Sequence, residues 1–186
     1  DSDSDFYLFF EDDMTISDSE EGICRNSLQK YIPNLYKKIH QIMLKEEFDF
    51  LKLSFTEVYM DNNIQVSWYN VPQPVRDEFW PNYNKLPTTG LDPNAPRTHF
   101  KNIETIDELS YISGDIYYAN WPMIVSRDGN KKMFIETKWA HPYEQTWMSY
   151  IFQETKKGNI NPACLLASTI THDRFKHYKA SERREN

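Results

Sequence analysis

Three consecutive carboxylates, Glu11-Asp12-Asp13, follow directly on the apolar run Phe6-Tyr7-Leu8-Phe9-Phe10. The run has the length and composition of a buried strand. Charges are not tolerated in the middle of such a strand, so the acids belong where it emerges. Ligands of open α/β sheets gather at the carboxyl ends of strands. Three acids side by side repel one another unless a cation joins them, and hard divalent ions such as Mg²⁺ or Mn²⁺ take oxygen ligands and hold substrate phosphates. The chemistry expected here is a metal–diphosphate site. The competing reading is a solvated acidic turn.

Two further groups of residues could share that chemistry. Glu144 lies at the start of a helix expected over 142–157, where the helix dipole keeps a carboxylate ionised and fit to act as a general base. Taken alone, it reads as an ordinary helix-start acid. The stretch from Thr171 to Lys179 holds His172, Arg174, Lys176, His177 and Lys179 in an otherwise acidic chain. Such a cluster can clamp phosphates, with His172 able to join a metal. A solvated basic terminus, 171–186, is the plainer alternative.

Elements must position these groups. Residues 15–22 are polar and read as a loop. From Asn26 to Glu47 the apolar residues Leu28, Tyr31, Ile32, Leu35, Ile39, Ile42 and Met43 recur at helical spacing, with a break or fresh start at Pro33. Lys37, Lys38, Lys45 and His40 fall on its solvated side. Phe48 to Phe55 reads as a second strand, Asp61-Asn62-Asn63 as a turn, and Ile64 to Tyr69 as a third strand. Residues 70–98, with Pro72, Pro74, Pro81, Pro87, Pro93 and Pro96 among Phe79, Trp80 and Tyr83, read as an irregular aromatic loop that either offers flat faces to a sugar ring or folds back to complete the core. Ile103 to Leu109 reads as a short helix and Ser113-Gly114-Asp115 as a turn. Asn120 to Val125 reads as extended chain interrupted at Pro122, and Asp128-Gly129 as a turn or helix start. Lys131 to Trp139 is ambiguous. Gly158 suits the stop of the helix from Pro142, and Ala163 to Ile170 reads as a last strand.

The chain has 186 residues, a formal charge of -7 and 15% aromatic residues. That length suits a single domain over 1–186 with a real core. The negative charge disfavours a nucleic-acid backbone as main partner. No apolar run spans a bilayer and no leader sequence is visible. Cys24 and Cys164 form no CxxC and read as buried small apolar residues. The lack of an Asn-x-Ser/Thr sequon points toward the cytoplasm.

The order of these motifs resembles the GT-A-fold glycosyltransferases, the nucleotide-sugar enzymes. An apolar strand ending in Glu-Asp-Asp is similar to their Asp-x-Asp metal motif, which some members carry as Glu-Asp-Asp. Glu144-Gln145-Thr146-Trp147 resembles their downstream acidic helix start followed by Trp, with Gln145 where a second acid often stands. His172 is similar in placement to a late histidine that completes metal or diphosphate contacts. The resemblance implies an α/β fold, a Rossmann-like mixed sheet flanked by helices. It implies transfer of a sugar from a UDP- or GDP-sugar to a hydroxyl on a glycan or other acceptor. In that scheme Asp13 and His172 hold Mn²⁺ or Mg²⁺, Glu11, Asp12, Arg174 and Lys179 bind the donor, and Glu144 is the base of an inverting reaction. Members carry strand–helix units before the metal motif, where this chain has only Asp1 to Asp5, so a partial domain is expected.

A rival resemblance is to PD-(D/E)xK nucleases, through Asp115 and Glu136-Thr137-Lys138. In that scheme Asp128-Gly129 is the hairpin between two strands, the carboxylates hold Mg²⁺ and Lys138 steadies the attacking water. It leaves Glu11-Asp12-Asp13 and the basic tail unused. A non-enzymatic domain with an aromatic binding loop is a third reading, and the acidic triplet counts against it.

Overall fold

The computed structural model describes residues 4–12, 14–18, 29, 31–54, 100–114, 116, 122–137, 144–167 and 169–172, with backbone alone for 100–102, 144–146, 148, 149, 171 and 172. The frame is a six-stranded mixed sheet flanked by helices, an α/β arrangement. Its strands are β1 (Phe6–Phe9), β3 (Phe50–Lys52), β4 (Phe100–Ile106), β5 (Leu109–Gly114), β6 (Met123–Ser126) and β7 (Pro162–Leu165), in the order β1-β6-β3-β7-β5-β4. Among the described residues, β3 and β7 run parallel as neighbours and the other pairs of this sheet are antiparallel. A second, two-stranded sheet pairs β2 (Met14–Ile16) with β8 (Ile170–His172). The helices are α1 (Leu35–Glu46), the short α2 (Arg127–Asn130) running into a π-helical turn (Lys131–Ile135), and α3 (Glu144–Lys157).

Period-two alternation divides the sheet into two apolar faces. Leu51, Leu53, Tyr111, Ile124, Ala163 and Leu165 join one buried cluster with Ile39, Ile42 and Met43 of α1. Their alternates Phe50, Ile112, Met123, Val125 and Cys164 are also buried and face the other way. Met133, Ile151 and Phe152 are buried as well, outside the cluster that α1 covers. α1 starts after Pro33, which cannot sit inside a helix, and stops at Glu47, whose φ of 51° leaves the helical region. Ile39, Ile42 and Met43 form its inner stripe; burying each fully stabilises the fold by about 1.5–3 kcal/mol.

Several expectations are corrected. Among the described residues the apolar run at Phe6 is an end strand rather than an inner one, with Leu8 45% and Phe10 39% exposed. The loop expected at 15–22 begins as strand, because Thr15 and Ile16 pair with Thr171 and Ile170. The short helix expected over 103–109 is a hairpin. Asp107 and Glu108 make its turn, both with positive φ, at 51° and 65°. Such turns ordinarily announce themselves through Asn-Gly or Asp-Gly, and Asp-Glu gives no such signal. Ser113 and Gly114 are strand residues of β5. The strand expected from Ala163 to Ile170 splits into β7 and β8. The fresh start expected at Pro33 and the stop of α3 before Gly158, whose φ is 82°, agree with the structure, whereas Tyr31 and Ile32, expected on the same helical stripe, lie outside any helix. Cys24, the turn at 61–63, the strand at 64–69 and the loop at 70–98 lie outside the described residues.

Candidate functional site

β1 carries the chain to the acidic triplet. Glu11 and Asp12 are exposed in the tight turn after it, closed by the Met14 amide donating to the Glu11 carbonyl at 3.3 Å. β2 leaves the turn and pairs antiparallel with β8, setting Met14 opposite His172 and Ile16 opposite Ile170. Buried Met14 and Ile170 anchor this ribbon in the α1-side core. Ser17 N–H donates to the Thr169 carbonyl at 2.8 Å, and the Thr169 hydroxyl donates to the Leu53 carbonyl at 2.6 Å. Leu53 N–H in turn donates to the Pro122 carbonyl at 3.0 Å. The ribbon is thereby tied to the outgoing end of β3 and the incoming end of β6, and His172 comes to the residue next to Asp13.

The start of α3 is joined to the same end of β1 by aromatic rings. Phe134 stacks on Phe9 with centroids 4.7 Å apart and planes 11° from parallel. Its ring also meets Trp147 at 4.6 Å. The Trp147 indole N–H donates to the Met133 carbonyl at 3.1 Å. Phe9 lies two residues before Glu11, and Trp147 lies one turn after Glu144, so the stack holds the first turn of α3 against the outgoing end of β1. The π-helical turn supplies both Phe134 and the Met133 carbonyl that make this junction.

The sequence reading missed one buried cation. Lys52 is 1% exposed, with Met123 and Cys164 as its partners across the strands. Met123 in turn pairs with Phe9. Burial pulls the Lys52 amine below the ordinary lysine range, offset in part by Cys164. The signal was a lysine on the inward phase of Phe50 within an apolar strand. Burial pushes the Cys164 thiol up to about 12, and its Sγ donates to the Ser54 carbonyl at 3.4 Å. At neutral pH it is a thiol and a weak nucleophile, in line with the buried apolar role expected of it.

The other end of the sheet holds a cleft of about 570 Å³ between Asp5, Phe6, Leu44, Asp49, Arg127 and Lys132, among others. Its polar groups are joined to one another. Asp49, 4% exposed, receives Lys132 Nζ at 2.8 and 3.0 Å and the Asn161 amide at 2.7 Å, while Arg127 pairs with Asp5 at 3.3 Å. This arrangement braces the fold.

Of the sequence candidates, Glu11 and Asp12, the backbone of His172 and the first turn of α3 converge at one end of the molecule. Asp13, Arg174 and Lys179 lie outside the described residues, as do the side chains of Glu144 and His172. Among the described residues no group of three His, Cys, Asp or Glu side chains is arranged to hold a metal. The strand pair required by the nuclease pattern is absent from its place. Asp128 and Gly129 belong to α2 rather than a hairpin, and the exposed Glu136 follows the π-helical turn; Asp115 and Lys138 lie outside the described residues. No described helix is long and apolar enough to cross a membrane. Set against protein-family models, curated proteins and solved structures, the chain gives no match.

Proposed function

We propose that the chain is a metal-dependent glycosyltransferase of GT-A type, moving a sugar from a UDP- or GDP-sugar to a hydroxyl acceptor with inversion. The observation that carries this reading is the β2/β8 ladder, which sets His172 opposite Met14 beside the acidic turn. The Phe9–Phe134–Trp147 stack, which brings the helix start bearing Glu144 to the same end of β1, supports it further.

The residue types near this turn suit a hard divalent ion: carboxylates offer the oxygen ligands that Mg²⁺ or Mn²⁺ accept, and Asp13 and His172 would be its holders. When bound, the ion neutralises charge on the departing nucleoside diphosphate. Glu11 and Asp12 orient the donor sugar and ribose. Arg174 and Lys179 contact the phosphates. Glu144, kept ionised by the helix start, takes the proton of the acceptor hydroxyl as the new bond forms. Trp147, one turn along, backs the acceptor side.

A base withdrawn from such a step typically costs about 10²–10⁴ in rate. Glu144→Gln is therefore expected to lower kcat by about that factor, with donor and Mn²⁺ affinity nearly unchanged, in an assay of donor turnover across UDP- and GDP-sugars. Turnover at the wild-type rate removes Glu144 from the role and the ground for inversion with it.

A further inference from the structure

Five consecutive apolar residues, Phe6 to Phe10, are the composition of a strand covered on both faces, yet among the described residues β1 is one of the two end strands of the sheet. Its hydrogen-bond phase is fixed by the Arg127 amide, which donates to the Asp5 carbonyl at 2.9 Å. In an antiparallel ladder, residues that exchange bonds with the neighbour alternate with residues that do not. Asp5, Tyr7 and Phe9 therefore bond toward β6. The backbone groups of Phe6, Leu8 and, one step beyond the strand, Phe10 point to the outer edge. Among the described residues no strand pairs with that edge. The usual protections of an edge, an inward charge, a proline or a bulge, are missing from Phe6–Phe9.

The flank of α1 next to this edge is also apolar. Tyr36 and Leu44 are 63% and 60% exposed, and with the exposed His40 between them they form an i, i+4, i+8 stripe. His40 meets the Phe6 ring edge-on at 5.3 Å, which puts the stripe beside β1. Leu8 shares the face of Phe6 by alternation. The outward backbone groups repeat at strand spacing, so an extended backbone satisfies them where a helix or a lipid would not. Charge narrows the occupant. Asp1, Asp3 and Asp5 precede the strand and Glu11, Asp12 and Asp13 follow it, with Arg127 paired to Asp5. A second copy of β1, in either direction, would set acids against acids.

We propose that the outer edge of β1 takes up an extended polypeptide segment, apolar in its centre and basic at both ends, as a seventh strand of the sheet. The test is amide hydrogen exchange at Leu8 and Phe10 in the 186-residue chain, with and without the peptide Lys-Lys-Val-Thr-Val-Thr-Val-Lys-Lys. Exchange at both amides is expected to slow by roughly tenfold or more at saturation. The Glu-flanked version is expected to bind at least about tenfold more weakly. Leu8→Pro deletes an outward donor while leaving the β6 ladder intact, and is expected to abolish the protection. A peptide N-methylated at alternate amides is expected to give none on the wild-type chain, so the outcome does not hang on the folding of the proline variant. Unchanged exchange at millimolar peptide, equal protection by the N-methylated peptide, or self-association in sedimentation that Leu8→Pro removes would each overturn the proposal.

Discussion

Met14 and His172 face each other as partners in the β2/β8 ladder. The Ser17–Thr169 hydrogen bond sets the phase, so Met14 and His172 occupy a site without mutual backbone bonds. At such sites Cα atoms lie about 4.5 Å apart, within disulfide reach. Met14→Cys with His172→Cys, in a Cys24→Ala background, should oxidise to an intramolecular disulfide, read by mass and by loss of free thiol. Thiols that stay free at both positions under oxidant, beside the buried Cys164, would mean that His172 does not stand beside the acidic turn.

The Phe9–Phe134–Trp147 stack should be worth more than its exposure suggests. Phe134→Ala removes both ring contacts at once and is expected to cost about 2–4 kcal/mol in urea unfolding, with Phe134→Leu losing roughly half as much. A loss within about 0.5 kcal/mol, the range of ordinary surface changes, would show that the rings do not join α3 to β1.

Gly129 is fixed by space. A Cβ there would come within 2.1 Å of the Asp49 carbonyl oxygen, which is backbone and has little room to yield. Gly129→Ala is expected to destabilise the chain by about 3 kcal/mol or more. Asp49→Ala, which strands the Asn161 amide and releases Lys132, should cost about 2–4 kcal/mol. Thermal unfolding of both variants checks this, and near-wild-type melting would mean that this end of the sheet is looser than the hydrogen bonds imply.

Lys52 makes a pH prediction with a definite sign. Its folded pKa is lowered, chiefly by burial, from an unfolded value near 10.4. Below the folded pKa both states are protonated and the cost of the buried charge is present in full. As pH rises through the folded pKa the unfolded chain holds more proton, so stability rises relative to a variant without the amine. The stability of wild type minus that of Lys52→Met should therefore climb with pH on the alkaline side, levelling near 10.4. A difference that stays flat up to that point would mean that burial does not lower the amine's pKa.

Much of the frame was legible because its signals are local. Pro33 before α1, Gly158 after α3 and the stripe Ile39, Ile42 and Met43 each act within a turn or two. What was hidden depends on partners distant in sequence. Nothing in Met14-Thr15-Ile16 announces a strand until Ile170-Thr171-His172 lies against it. Phe6 to Phe10 carries the composition of an inner strand, and it is the strand order that makes it an end strand among the described residues. Glu11 to Asp13 and the cluster from Thr171 to Lys179 were found from charge placed after apolar runs, and Glu144 from its place at a helix start. Lys52 shares the strand phase of Phe50, but it was missed because the burial of that phase follows from β6 and β7 flanking β3. The hairpin at Asp107-Glu108 was missed because it takes positive φ without glycine or asparagine.

The most direct test of the glycosyltransferase reading is calorimetric titration of UDP and GDP into the chain, with and without Mn²⁺, for wild type and for Asp13→Ala. The account predicts that wild type binds one of the two nucleotides only when Mn²⁺ is present, and that Asp13→Ala loses this binding while keeping the wild-type circular dichroism spectrum. Equal affinity in Asp13→Ala, or binding indifferent to Mn²⁺, would contradict it.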